Sequence, residues 1–199
     1  MLFACKKKYD DVSQVQTATY PTITFTGAEF YSINVGGGLP DIQATAFDSS
    51  LGESYPVELT GTDNLDNTKP GLYVVQLKST NKYGFYSTKN VLVAVTDVSD
   101  NVHLEGLYKR TSNSEPVNVT RLARGLYQTD DVGGSPTLAV AAYFVHINDT
   151  LIDVPEQPTS AGTLSANGET LTMAPGDTSF SYIIDNPSFL DNRRTFVKQ

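Results

Sequence analysis

From Tyr20 onward the chain runs in short stretches where apolar and polar residues alternate, separated by Gly, Pro, Asn and Asp. Thr22-Ile23-Thr24-Phe25-Thr26 puts Ile23 and Phe25 on one face and the threonines on the other, the pattern of a half-buried strand. Phe30 to Val35, Ile42 to Phe47, Tyr55 to Leu59, Leu72 to Leu77 and Asn90 to Val95 repeat it, at the roughly 8 to 12 residue spacing of a β-sandwich. Gly36-Gly37-Gly38 reads as a hairpin turn between two of these strands. Val98-Ser99-Asp100-Asn101 is a polar hinge, which predicts a boundary and two units that move independently.

Beyond the hinge the strand pattern continues with different residues. Leu107 to Arg110, Val117 to Leu122, Leu126 to Thr129, Leu138 to Ile147, Leu151 to Val154, Thr170 to Met173, Phe180 to Ile184 and Thr195 to Lys198 are the predicted strands. No stretch carries a helical period of useful length. The fold class expected is all-β: two tandem β-sandwich-type domains, residues 20–98 and 99–199, after a flexible polar tether over residues 1–19.

Composition narrows the function. The formal charge of −8 disfavours nucleic acid as a partner, because the long-range field repels phosphate backbones. Cys5 is the single cysteine, so packing rather than an internal disulfide must hold the fold. No apolar run reaches the ~18 to 20 residues that span a bilayer, which leaves peripheral or covalent attachment.

The N-terminal residues Leu2-Phe3-Ala4-Cys5 resemble the lipobox of bacterial lipoproteins, where a small residue precedes the acylated cysteine. That resemblance implies lipidation of Cys5 and attachment to the membrane through the lipid. Only a short apolar stump precedes Cys5, which is less than a signal peptide needs and implies a truncated or misplaced start. An unpaired buried cysteine is the alternative, and Lys6-Lys7-Lys8 beside it make burial implausible.

Pro21 to Gly27, Gly71-Leu72-Tyr73-Val74-Val75-Gln76-Leu77, Asn81-Lys82-Tyr83-Gly84 and Val93-Ala94-Val95-Thr96-Asp97 resemble the Ig-like modules of bacterial surface proteins. Gly106-Leu107-Tyr108-Lys109-Arg110, Gly125-Leu126-Tyr127, Asp131-Val132-Gly133-Gly134 and Arg194-Thr195-Phe196-Val197-Lys198 resemble the C-terminal β domain of surface lipoproteins from polysaccharide-utilisation loci of Bacteroidota. The resemblance implies a lipid-anchored protein of the cell outer membrane, exposed at the surface. Its partner would be a polysaccharide or surface glycan, with docking to an outer-membrane transport complex as the alternative.

Candidate chemistry is sparse. His103 lies beside the hinge, and alternation puts His146 on the same strand face as Ala142 and Phe144. Neither sits in a recognisable catalytic motif, so no catalytic residue, metal site or cofactor is expected. Asp63, Asp66, Asp97 and Asp100 supply hard oxygen donors of the kind calcium takes, but without the spacing of a calcium loop. A hydrolase using a carboxylate pair is the weakest of three readings.

The aromatics carry the binding expectation. Tyr83, Phe85 and Tyr86 crowd one turn and form the candidate ligand contact, unless one or two fold back as a cap on the core. Asp149-Thr150-Leu151 fits the pattern along which Bacteroidota glycosylate exported proteins, with Thr150 as acceptor.

Overall fold

The computed structural model describes residues 17–174 and 176–199; Cys5 lies outside them. The described residues form sixteen strands and one 3₁₀ turn, without an α-helix. The chain is all-β and sandwich-like, as the alternation predicts.

The first unit contains β1 (Thr22–Phe25), β2 (Phe30–Ile33), β3 (Ala44–Asp48), β4 (Glu53–Tyr55), β5 (Glu58–Thr60), β6 (Gly71–Thr80) and β7 (Tyr86–Val95). They make two sheets, ordered β1-β3-β4 and β2-β7-β6-β5. All neighbours are antiparallel except β2 and β7, which run parallel from Phe30↔Leu92 to Ile33↔Val95. Ile23, Ile33, Ala46, Val75, Leu77, Val91, Val93 and Val95 fill the space between the sheets. Alternation made them the inward set, and each was available to the core only in this register.

Two expectations change here. Residues 34 to 43 carry the chain from the sheet of β2 to the sheet of β3, so Gly36-Gly37-Gly38 begins a crossover instead of a hairpin. Asn67 secures that crossover, accepting from Gly36 N at 2.6 Å and donating to Gly37 O at 2.8 Å. The run Tyr55 to Leu59 is two strands in different sheets. Pro56, between them, has no N–H to give a ladder, and the chain changes sheet there.

The second unit contains β8 (Gly106–Arg110), β9 (Pro116–Ala123), β10 (Leu126–Thr129), β11 (Ala142–Asn148), β12 (Leu151–Asp153), β13 (Gln157–Thr159), β14 (Gly162–Ala174), β15 (Asp177–Asp185) and β16 (Arg193–Lys198). They form one sheet, ordered β12-β11-β10-β9-β8-β16-β15-β14-β13, with every pairing antiparallel. The sheet curls until its ends meet. Ala166 N donates to Val154 O at 3.0 Å and Leu171 N to Thr150 O at 2.7 Å, joining β14 to the β12 edge. Such closure removes an edge that would otherwise offer unpaired backbone groups.

Aromatic rings fill the curled sheet. Tyr108, Tyr127, Phe144, Phe180, Tyr182 and Phe196 are buried, with Phe180 4.9 Å from Tyr108 and 5.2 Å from Phe196 between ring centres. Each tyrosine hydroxyl reaches a carbonyl: Tyr108 to Leu104, Tyr127 to Val102 and Tyr182 to Val132. Burial pushes the Tyr108 and Tyr182 hydroxyls well above the ordinary tyrosine range, so they stay donors.

The units are joined by more than a hinge. Ala94 of the first unit and Leu126 and Val145 of the second are fully buried together, with Phe30, Leu72, Leu92 and Ile147 packed around them. Thr96 Oγ1 donates to His146 O at 2.7 Å, and Arg124 donates to Thr96 O, Val98 O and Asn34 Oδ1, each at 2.8 Å. The expected independent motion gives way to a fixed junction, because the outward faces of β7 and β11 are apolar where they meet.

A cleft between the units and an aromatic tip

The packed interior of the second unit directs attention to the surface. Between the units lies a cleft of about 320 Å³. Its floor is the outward face of β6 and β7, where Leu72, Val74 and Leu92 stand in register. Phe30 of β2 and Tyr143 of β11 form the inner wall, with ring centres 6.3 Å apart across the junction. Pro155 and Pro158 form the opposite lip.

Polar groups edge this apolar bed. Asn90 accepts a hydrogen bond from Gln76 at 3.0 Å through its side-chain oxygen, which leaves its NH₂ as donor. Lys89 stands over the Phe25 ring at 4.2 Å and lies 3.7 Å from Glu29. Glu156 adds a further carboxylate at the lip.

Gln157 makes the lip rigid. Its Oε1 accepts from Tyr143 N at 2.7 Å and its Nε2 donates to Tyr143 O at 2.8 Å and to Pro155 O at 3.1 Å. The side chain therefore bonds β11 as a strand backbone would, fixing the segment between two prolines that cannot donate. Neither Gln157 nor the cleft was recognisable from sequence, since a side chain replacing a ladder bond leaves no periodic trace. The junction did leave one: Val91-Leu92-Val93-Ala94-Val95 is continuously apolar, which signals a strand covered on both faces.

The three turn aromatics occupy the opposite end of the first unit. β6 and β7 connect through residues 81–85, a loop organised by Asn81, whose Oδ1 accepts from Tyr83 N and Phe85 N. Gly84, at φ +87°, completes the turn without the strain a side chain would add. Tyr83 is 47% exposed and Tyr86 55% exposed, while Phe85 is half-buried against Tyr20, itself 56% exposed. Lys82 stands over the Tyr83 ring at 5.4 Å and Lys78 over Tyr86 at 4.6 Å.

Beneath this tip a polar anchor ties the start of the described chain to the loop. Asp48 accepts from Thr19 Oγ1 at 2.8 Å, from Asn81 Nδ2 at 3.0 Å and from Ser50 N and Leu51 N. Burial pushes its carboxyl up, but these donors outweigh that and hold it below the ordinary carboxylate value. Asn81 Nδ2 also donates to Thr19 O at 2.8 Å, so Thr19, expected in the tether, is part of the fold.

The remaining candidates are scattered. His146 is fully buried, with Nε2 bonded to Asn148 O and Nδ1 without a partner; burial lowers its pKa. His103 is exposed and contacts Glu105 and Arg121. Asp66 pairs with Lys69, Asp97 accepts from Val35 N, Asp100 pairs with Arg121, and Asp63 lies in the 3₁₀ turn. Among the described residues no three acidic, histidine or cysteine side chains meet as metal ligands. Thr150 is exposed in the β11–β12 turn, where its hydroxyl donates to Asn148.

No protein-family profile and no curated protein sequence matches the chain. Among solved structures it is similar to a lipoprotein from Bacteroides thetaiotaomicron, at 19% identity over 90% of this chain and 100% of that one, with a TM-score of 0.41.

Proposed function

We propose that this chain is a non-catalytic lipoprotein, anchored through Cys5 at the cell surface, that binds a glycan in the cleft between its two units. The observation carrying the reading is the cleft's construction: flat apolar walls from Phe30, Tyr143, Pro155 and Pro158 above an aliphatic floor, edged by an amide and carboxylates. A pyranose ring presents apolar C–H faces and an equator of hydroxyls, and such a bed meets both. A fixed junction also presents the walls already formed, which limits the entropy lost on binding.

A glycan array probed with the whole chain tests this, alongside Val74→Arg and Tyr86→Ala. Val74 is 42% exposed on the cleft floor, so arginine fills the cleft without entering the core. The expected result is retention by at least one glycan, weakened about tenfold or more by Val74→Arg and unchanged by Tyr86→Ala. Folded protein that retains no glycan overturns the reading and favours the alternative, docking to an outer-membrane transport complex. Intact-mass analysis of native material decides the anchor separately: acyl mass on Cys5 is expected, and a free thiol rules it out.

A further inference from the structure

We propose that the tip formed by Tyr20, Tyr83 and Tyr86, with Lys78 and Lys82, rests on an anionic lipid headgroup layer. This rests on the reading of Cys5 as the lipid attachment point, and the first argument is where the chain enters the fold. Thr19 is bonded to Asp48 and Asn81, and the Tyr20 ring lies 5.6 Å from Phe85. The tether and the tip therefore share one end of the first unit.

Length makes that shared end consequential. Fourteen residue steps separate Cys5 from Thr19. Fully extended they span at most about 50 Å. The second unit is held at the other end of ten-residue strands, roughly 33 Å away. A lipid on Cys5 thus keeps the tip within about 50 Å of the bilayer and makes it the end of the first unit next to the anchor.

The tip has the chemistry that such a position requires. Tyrosine carries an apolar ring and a polar hydroxyl, and it concentrates at headgroup depth. Three such rings are about half exposed here, and two have an ammonium over the face. Of the carboxylates nearby, Asp48 is buried, Glu53 pairs with Lys82 at 2.7 Å and accepts from Tyr55 at 2.6 Å, and Glu58 stands exposed on β5 across the ladder from Lys78. The outward face of the tip is therefore three exposed rings, two of them with the Lys78 and Lys82 ammoniums over the face, on a chain of net charge −8.

The composition allows a direct test, because the chain has a single cysteine and no tryptophan. Purified protein is coupled through the Cys5 thiol to maleimide lipid in vesicles of phosphatidylcholine and phosphatidylglycerol, with or without bromine on the acyl chains. Tyr83→Trp, Tyr86→Trp and Leu190→Trp are compared, Leu190 being an exposed residue of the second unit. The expected result is that bromolipid reduces emission from both tip tryptophans by about half, leaves Leu190→Trp unchanged, and acts less on tips carrying Lys78→Glu.

Tip tryptophans quenched no more than Leu190→Trp overturn the proposal. So does a tip that lipid leaves unquenched but a soluble glycan shields, since the rings then belong to a glycan site. Chemical coupling replaces the cell's own acylation, so this outcome is independent of both the Cys5 mass and the cleft's glycan result.

Discussion

Burial raises the carboxyl of Asp153 above the ordinary aspartate value, and the nearby charge of Glu169 raises it further. A carboxyl with a folded pKa above its unfolded one costs no stability while protonated in both states. It becomes a liability as pH climbs past the unfolded value of about 3.9, where the unfolded chain ionises more easily. Asp153→Asn keeps the shape and removes the charge, so it is expected to raise the urea midpoint at pH 7 and leave it unchanged near pH 3. An equal gain at both pH values would exclude ionisation as the cause. The exposure of Tyr83 and Tyr86 could be read from the sequence, because three large rings at positions 83, 85 and 86 exceed what a core edge hides. The use of Gln157 as a rung of the sheet could not, since it depends on Tyr143 lying opposite, fourteen positions away.

At the scale of the element, Gly125 shows what the close approach of two strands demands. It sits at φ +68° in the β9–β10 turn, and a Cβ there would lie 2.6 Å from Thr96 Cγ2 and 2.9 Å from Val98 Cγ2. Gly125→Ala combines left-handed backbone strain with overpacking and is expected to destabilise by about 2 to 4 kcal/mol in urea titration. A change below about 1 kcal/mol would mean that the linker moves aside freely. Strand existence was legible wherever alternation was clean, as in β1, β3 and β9. Lengths were not: β7 begins at Tyr86, four positions before the predicted start at Asn90, because Ser87 and Thr88 read as loop although they continue the ladder. β13 was missed altogether, its middle residue being Pro158 on the outermost strand, where a missing N–H is tolerated.

For the whole molecule, the junction residues Ala94, Leu126 and Val145 couple the two units. Calorimetry of the intact chain is expected to show one cooperative transition. Leu126→Ala, which leaves a cavity in that junction, is expected to cost about 2 to 4 kcal/mol and resolve the trace into two. Two transitions in the unsubstituted chain would show that the junction does not carry cooperativity. The polar hinge suggested looseness because a linker's composition describes only the linker. What fixes the units is the pairing of faces on strands far apart in sequence, a fact of tertiary packing.

The parallel pairing of β2 with β7 has a mechanical consequence. Opposite tension on the start of β2 and the end of β7 would load the two strands along their length. Parallel strands pulled this way slide along each other, so their hydrogen bonds share the load instead of parting one by one. The β2–β7 pair would then act as a shear-loaded clasp within the first unit.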